Sequence, residues 1–173
     1  MIRPATAADL PAVVAIYNAI FDQEERSGTV YTHWERSSYP TPDTARTAFE
    51  AGTLFVGETD GVIWGSMNLN GIQLPEYQKI NWSIPAADSE VAVIHTLTID
   101  PAKAGHGLAH DMVAFAEAQS RKNGKKVIRL DTWEHNAPAN HLYPSMDYRF
   151  AGATDFFFMG YVYEILNLYE KAL

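Results

Sequence analysis

One segment constrains the fold of this chain more than any other: residues 97–109, which read Leu-Thr-Ile-Asp-Pro-Ala-Lys-Ala-Gly-His-Gly-Leu-Ala. It joins a β-rich run, Val91 to Ile99, to the stretch from Gly105 to Lys122, whose apolar residues recur at helical spacing. Asp100 and Pro101 mark the turn between the two. A strand that passes through a turn into a glycine-rich helix start is typical of α/β proteins, so we expect an α/β domain.

The other periodic segments support the same fold class, because short strand and helix signals alternate along the whole chain. The predicted order is β, α, α, β, β, β, α, β, α, β, β. Strands are predicted at 1–4, 53–58, 62–70, 91–99, 127–132, 148–153 and 156–169, and helices after Thr6, from Thr41 to Gly52, from Gly105 to Lys122 and from Pro138 to Met146. Residues 24–39 and 71–90 show no period, and we expect them to form loops.

Length and composition exclude several functional classes. A chain of 173 residues with 47% hydrophobic residues predicts one domain over 1–173. A net charge of -8 disfavours a nucleic-acid surface, and the absence of cysteine excludes disulfide and thiol chemistry. We find no signal peptide and no segment apolar enough to span a membrane. The expected location is the cytoplasm, and the expected partners are small molecules or peptide ends.

The glycine turn of residues 105–109 suits a polyphosphate ligand. The first N–H groups of a helix have no partner within it and carry partial positive charge, so they attract anions. A Cβ at Gly105 or Gly107 would hold the anion away, and Ala109 is small enough to allow the same approach. Taken by itself, the segment is also compatible with an ordinary helix cap.

A second block follows one strand later: Asn136-Ala137-Pro138-Ala139-Asn140-His141-Leu142-Tyr143, with Tyr148 beyond it. Together the two blocks resemble the acyl-CoA-binding motif of the GNAT superfamily of N-acetyltransferases, of the bacterial type that acts on small molecules or peptides. The resemblance implies a GNAT fold, with a mixed, mostly antiparallel sheet of about seven strands splayed in its centre and helices on both faces. It also implies acetyl-CoA as the co-substrate and a primary amine as the acceptor.

The chain departs from that motif at two positions. The arginine or glutamine of the family pattern falls on Ala104, and a small glycine falls on Asp147. Main-chain N–H groups are unaffected by either change. Lys103 or His106 can supply the positive charge that Ala104 lacks.

The resemblance also implies a set of site residues. Tyr143 is the expected general acid for the leaving thiolate, and the main-chain N–H of Leu97 is the expected contact for the developing oxyanion. The expected acetyl-CoA contacts are Leu97, Ile99, Lys103, Ala104, Gly105, His106, Gly107, Leu108, Ala109, Asn136 and Tyr143.

The base and the acceptor pocket are less constrained. Glu90 and His95 are alternative candidates for the base, since both lie on or beside the strand that would carry the thioester. Four aromatic residues of the two loops are candidates for an acceptor pocket: Trp34, Tyr39, Tyr77 and Trp82.

Three further patterns have alternative interpretations. His106 and His110 stand four residues apart, but Gly107 replaces the glutamate of the zincin motif, so we expect no metal. The run from Phe156 to Val162 is apolar on both faces and suggests a homodimer. Finally, a non-catalytic acyl-CoA sensor would preserve the same glycine turn, and Ala104 keeps that alternative open.

Overall fold

The computed structural model describes residues 1–158, 160 and 162–173, which divide into two compact units. Unit 1 comprises Met1–Val30, Trp34–Leu69 and His95–Phe115. Unit 2 comprises Tyr31–His33, Asn70–Ile94 and Ala116–Leu173. The single domain expected over 1–173 stays a prediction.

The elements follow the predicted order. The strands are β1 (Ile2–Pro4), β2 (Leu54–Thr59), β3 (Val62–Asn70), β4 (Val91–Ile99), β5 (Val127–Trp133), β6 (Arg149–Phe158) and β7 (Val162–Ala172). The helices are α1 (Leu10–Ser27), α2 (Pro42–Glu50), α3 (Leu108–Lys122) and α4 (Ala137–Ser145). The strands form one 7-stranded sheet in the order β1-β2-β3-β4-β5-β7-β6.

The sheet is mixed, as the sequence predicts. The pairs β1–β2, β2–β3, β5–β7 and β6–β7 are antiparallel, whereas β4 and β5 are parallel. The parallel ladder joins Val91–Val93 to Val127–Arg129. A mixed α/β sheet with mostly antiparallel pairs is confirmed.

Predicted boundaries are wrong at the end of α1, at the end of β6 and at the start of β7, which begins at Val162 rather than at Phe156. Helix α1 continues to Ser27 rather than ending before Glu24, because Gly28 adopts a left-handed φ of 69° and donates its N–H to the carbonyl of Glu24 at 2.9 Å. Strand β6 does not end at Ala153. Asp155 pairs with Ile165 within the ladder, and a polar residue is tolerated there because its side chain is exposed.

The core of unit 1 lies between α1, α2 and β2. Val13, Tyr17 and Phe21 recur every four residues and so share one face of α1. They pack in one buried cluster with Ala45, Ala48, Leu54 and Val56. Helix α2 begins at its predicted cap, where the hydroxyl of Thr41 accepts the N–H of Thr44 at 3.4 Å.

The core of unit 2 joins the sheet to the long loop of residues 71–90. Its buried residues are Tyr77, Val91, Val93, Val127, Leu166 and Leu168. Glu170, which is 0% exposed, accepts the main-chain N–H of Ser83 at 2.8 Å and an Arg149 N–H at 2.6 Å. Arg129 stacks on the Trp82 ring at 4.2 Å and donates to the carbonyl of Ile84. Buried charge therefore anchors this loop.

Two further predictions concern membrane-spanning segments and a dimer contact. Within the described ranges, no helix has both the length and the hydropathy that a membrane crossing requires. Phe157 on β6 and Tyr163 on β7 pair within the ladder, are 47% and 74% exposed, and stack on each other at 4.4 Å. Met159 and Tyr161 of the proposed dimer segment lie outside the described residues. The homodimer stays a prediction.

Candidate active site

The glycine turn before α3 has the conformation that a close approach by a ligand requires. Gly105 and Gly107 have φ values of +82° and +77°, which residues with a Cβ rarely adopt. A Cβ built on either one would meet nothing within 4 Å. The turn is therefore open at the two positions where the sequence predicts phosphate contact.

The main chain of the same turn offers unused donors. The first hydrogen bond of α3 runs from the N–H of Asp111 to the carbonyl of Gly107 at 3.1 Å. Within the described part of the chain, the N–H groups of residues 105–109 donate no hydrogen bond. Five adjacent N–H groups at the positive end of a helix attract an anion. We call this segment, residues 105–109, the cradle.

Side chains contribute little to the cradle. Ala104, at the position where the family pattern has arginine or glutamine, is exposed and ends a 3-10 turn that Asp100 caps. Lys103 and His106 are exposed as well, and neither side chain makes a hydrogen bond or ion pair among the described residues. Both remain available to an anionic ligand.

Strand β4 is irregular beside Leu97, the residue expected to contact the oxyanion. Thr96 has a φ of 48°, a rare value for a β-branched residue and a sign of backbone strain. Its hydroxyl is hydrogen-bonded to the hydroxyl of Tyr39. Leu97 and Ile99 follow as half-buried residues. No sequence signal marks Thr96, because a threonine inside a β-rich run normally indicates a regular strand.

Two of the predicted pocket residues meet in unit 1. The rings of Trp34 and Tyr39 contact edge to face at 5.7 Å. Trp34 also lines a cavity of about 660 Å³. The other lining residues are Phe21, Glu24, Glu25, Val30, Glu35, Arg36 and Ser37. The Arg36 guanidinium lies over the Phe21 ring at 5.0 Å, a cation–π contact within the lining of this cavity.

The two other predicted pocket residues meet in unit 2. The rings of Tyr77 and Trp82 lie 5.4 Å apart, and the indole N–H of Trp82 donates to the carbonyl of Tyr77 at 2.9 Å. The Tyr77 hydroxyl donates to a carboxylate oxygen of Asp131 at 2.7 Å. Burial, and then the charge of Asp131, raise the pKa of Tyr77 well above its usual value.

Tyr143, the expected general acid, lies in α4 of the same unit. It is 5% exposed, and its ring packs against the rings of Tyr148 and Tyr169 at 5.7 Å each. Its hydroxyl makes no hydrogen bond to any residue that the structure describes. Burial is the main cause that raises the pKa of Tyr143, with Asp131 as the next. The phenol is therefore protonated at neutral pH and is a weaker acid than a solvent-exposed tyrosine.

Asn136 and its neighbours position α4. The Asn136 side-chain oxygen accepts the N–H of Ala139 at 3.2 Å and caps the helix. The Asn140 side chain donates to the carbonyl of Trp133 at 2.9 Å and accepts the Tyr169 hydroxyl at 2.8 Å. The asparagines of this block therefore fix the helix that carries Tyr143.

The second departure from the family pattern is explained by the end of α4. Asp147 has a φ of 65°, in the left-handed region where glycine is favoured. Aspartate is one of the few other residues that adopt it readily. The N–H of Tyr148 then donates to the carbonyl of Tyr143 at 3.1 Å. Asp147 thus replaces the glycine without changing the helix end.

The two candidates for the base differ in their surroundings. Glu90 forms an ion pair with Lys126 and accepts the N–H of Ala87 at 3.0 Å. The Lys126 hydrogen bond is the main cause that lowers the pKa of Glu90, which disfavours proton uptake at neutral pH. His95 is half-buried on β4, in unit 1.

Unit 2 also contains a pair of titratable side chains that the sequence analysis did not predict. The Nδ1 of His33 lies 2.9 Å from a carboxylate oxygen of Glu164, and the His33 ring stacks on Trp133 at 4.4 Å. His33 belongs to a predicted loop and Glu164 to a predicted strand, separated by 131 residues. No local pattern connects them.

The predicted site residues thus fall into two groups. Unit 1 contains Leu97, Ile99, the residues from Lys103 to Ala109, Trp34, Tyr39 and His95. Unit 2 contains Tyr77, Trp82, Glu90, Asn136 and Tyr143.

Comparison with known proteins gives one family. The sequence model of the acetyltransferase (GNAT) family matches residues 13–148. No protein of curated function matches the sequence.

Solved structures share the fold. One is an acetyltransferase of the GNAT family from Listeria monocytogenes, with TM-score 0.73, 22% identity and coverage of 100% of this chain and 94% of that one. A ribosomal-protein-alanine N-acetyltransferase from Brucella melitensis has TM-score 0.72, 19% identity and coverage of 100% and 99%. A candidate acetyltransferase, yncA from Salmonella typhimurium, was solved with its cofactor acetyl-CoA and has TM-score 0.72, 19% identity and coverage of 100% and 93%. At these identities the likeness concerns the fold.

Proposed function

Because this chain belongs to the acetyltransferase (GNAT) family, we propose that it transfers the acetyl group of acetyl-CoA to a primary amine of a small molecule, amino acid or peptide. The amine attacks the acetyl carbon directly, without an acyl-enzyme. The absence of cysteine from the sequence agrees with a reaction that needs no thiol nucleophile on the protein.

The cradle is the observation that carries this proposal. It combines five free N–H groups with two glycines whose missing side chains leave the main chain accessible. Such a surface fits a pyrophosphate, which accepts several hydrogen bonds at once and favours the positive end of a helix. Lys103 and His106 are the side chains available for a further phosphate contact.

The chain's own residues supply the remaining roles. Acetyl-CoA, when bound, provides an activated thioester carbonyl. The N–H of Leu97, next to the strained Thr96, stabilises negative charge on the carbonyl oxygen. The Tyr143 hydroxyl, protonated and without a hydrogen bond among the described residues, gives its proton to the departing sulfur.

The acceptor is a cationic amine. Three glutamates and two aromatic rings line the cavity of unit 1, whose one lining cation, Arg36, is already paired with Asp22 and Glu25. Carboxylates and aromatic faces both favour a positively charged ligand.

Calorimetry and thiol release test the proposal together. Acetyl-CoA is titrated into the protein, and free thiol is then followed with a panel of amines that contains an alkylamine, a diamine, an amino acid amide and a short peptide. We expect saturable coenzyme binding and thiol release that depends on one class of amine. Absence of binding would refute the proposal, whereas binding without amine-dependent release would favour the non-catalytic sensor.

A further inference from the structure

We propose that His33 is the catalytic base, with Glu164 as the residue that positions it, so that the free ring nitrogen of His33 takes the proton of the attacking amine. This inference rests on the proposed function, since it assigns a role in the same reaction. It replaces Glu90 and His95 as candidates for the base.

The geometry of His33 is that of a positioned imidazole. Its Nδ1 is hydrogen-bonded to Glu164, and its ring is held flat against Trp133 with an interplanar angle of 26°. The Nε2 makes no hydrogen bond within the residues described here, and the side chain is 32% exposed. A carboxylate on Nδ1 holds the proton there and leaves Nε2 as the basic, accessible nitrogen.

The main chain at His33 is strained. Its φ of 58° lies in the left-handed region, which histidine adopts more often than most non-glycine residues but still uncommonly. Strain of this kind costs about 1–3 kcal/mol and persists where the surroundings impose it, often at functional sites. Here the hydrogen bond to Glu164 and the stacking on Trp133 are the contacts that hold the residue.

Glu164 is a buried carboxylate with a single polar contact. Its side chain is 5% exposed, and among the described residues His33 is its only hydrogen-bond partner. Burial raises the pKa of Glu164, opposed by the His33 hydrogen bond. A buried charge that few groups compensate lowers the stability of the fold. A buried carboxylate with a single polar partner and no role in the reaction is therefore unusual.

Besides His33, the charged group that acts on Glu164 among the described residues is Asp131 on β5. Asp131 also accepts the hydroxyl of Tyr77 from the long loop. Glu134 and His135 follow Trp133, the residue whose ring stacks on His33. The charge of Asp131 raises the pKa of both Glu164 and Tyr143. One carboxylate is thus within electrostatic range of the proposed acid and of the His33 partner, all inside unit 2.

The proton balance is simple. The amine nitrogen forms a bond to the acetyl carbon as the carbon–sulfur bond breaks. His33 Nε2 takes one proton from the nitrogen, and the Tyr143 hydroxyl gives one proton to the sulfur. The imidazolium then returns its proton through solvent, and the tyrosine is reprotonated. With an acceptor that arrives as an ammonium, His33 first takes the extra proton and releases it to solvent, and only then takes the second proton during the attack, so one proton is released to solvent overall.

His33→Asn is the informative variant. Asparagine tolerates a left-handed φ and can still donate to Glu164, but it cannot take up a proton. His135→Asn is the matched control, since His135 contacts Trp133 edge to face at 5.0 Å and its side chain is 68% exposed. We expect kcat/KM at pH 7 to fall about 100-fold in His33→Asn and to stay within about twofold in His135→Asn.

The pH profile separates a base from a merely structural residue. In the wild type, kcat/KM should stop rising below the pKa of the acceptor amine, because a neutral imidazole then deprotonates the ammonium. In His33→Asn it should keep rising up to the pKa of the amine. The assignment would be overturned if the pH profile of kcat/KM in His33→Asn kept the wild-type shape, or if the break in that profile disappeared in His95→Asn instead.

Glu164→Gln distinguishes the two residues of the pair. It keeps a hydrogen-bond acceptor for His33 but removes the charge, so the break in the pH profile should move to lower pH, with kcat/KM lowered about tenfold. Acetyl-CoA affinity by calorimetry should be unchanged in His33→Asn, His135→Asn and Glu164→Gln. If the wild type itself neither binds the coenzyme nor releases thiol, the proposed function fails; if it does both and His33→Asn behaves as wild type, only this inference fails.

Discussion

The cradle of residues 105–109 and the His33–Glu164 pair are built in opposite ways. The cradle presents main-chain N–H groups from five consecutive residues, and its glycines serve by having no side chain. The pair consists of side chains that are 131 residues apart in sequence, fixed by a ring and a buried carboxylate. A site made of main chain tolerates changes of side chain, such as Ala104 and Asp147. A site made of side chains does not.

Removal of the buried charge of Glu170, in unit 2, should have the largest effect, and that effect is on stability. Glu170→Ala leaves Arg149 and the N–H groups of Ser83 and Ile84 without their partner. We expect the free energy of unfolding to fall by about 3–5 kcal/mol, measured by denaturant titration. Asp155→Ala, which removes only the exposed ion pair with Lys79, is the control and should cost less than about 1 kcal/mol. Equal effects would show that the loop of residues 71–90 is not anchored by buried charge.

Tyr143→Phe tests the side-chain site at its proposed acid. Because the hydroxyl has no hydrogen-bond partner among the described residues, its removal should leave the melting temperature nearly unchanged. We expect kcat to fall about 100-fold, since acid catalysis is lost. Tyr163→Phe, at a 74% exposed tyrosine, is the matched control. A loss below about fivefold would remove Tyr143 from the mechanism.

The ion pair at the start of unit 1 gives a pH-dependent effect. Asp9 accepts two hydrogen bonds from Arg3, at 2.7 and 3.0 Å, and these are the main cause that lowers its pKa. The stabilisation is present above the unfolded pKa, ~4, and is lost as the pH falls towards the lower folded value. Asp9→Asn should therefore cost about 2 kcal/mol at pH 7, and the difference from wild type should shrink below pH ~4. A difference independent of pH would indicate that packing, not charge, is responsible.

The smallest effect is expected at the cradle. Gly107→Ala places a methyl group in the open space and strains a φ of +77°. Gly124→Ala is a matched control, because Gly124 has a φ of +73°, also meets nothing within 4 Å, and follows α3 rather than preceding it. Both should lose similar stability, but only Gly107→Ala should weaken acetyl-CoA binding, by about tenfold. Equal affinities of the two variants for acetyl-CoA would mean that the phosphates of the coenzyme bind outside the cradle.

The sequence predicted the local features and missed those that depend on distant residues. The helix start at Thr41 and the glycine turn of the cradle were readable because a few adjacent residues decide them. The strain at Thr96 was not readable, because its hydroxyl bonds to Tyr39, 57 residues away. The ion pair of Glu90 with Lys126 was missed for the same reason.

By itself, the sequence determined the order of elements, the α/β class and a turn with free N–H groups, since these follow from periodicity, capping and the conformational freedom of glycine. Only the tertiary structure decided which titratable side chains meet. Tyr77 with Asp131 and His33 with Glu164 come together through the ordered loop and the pairing of β5 with β7. The physical reason is that burial and mutual distance set the protonation of such groups, and neither quantity is encoded in any short stretch of residues.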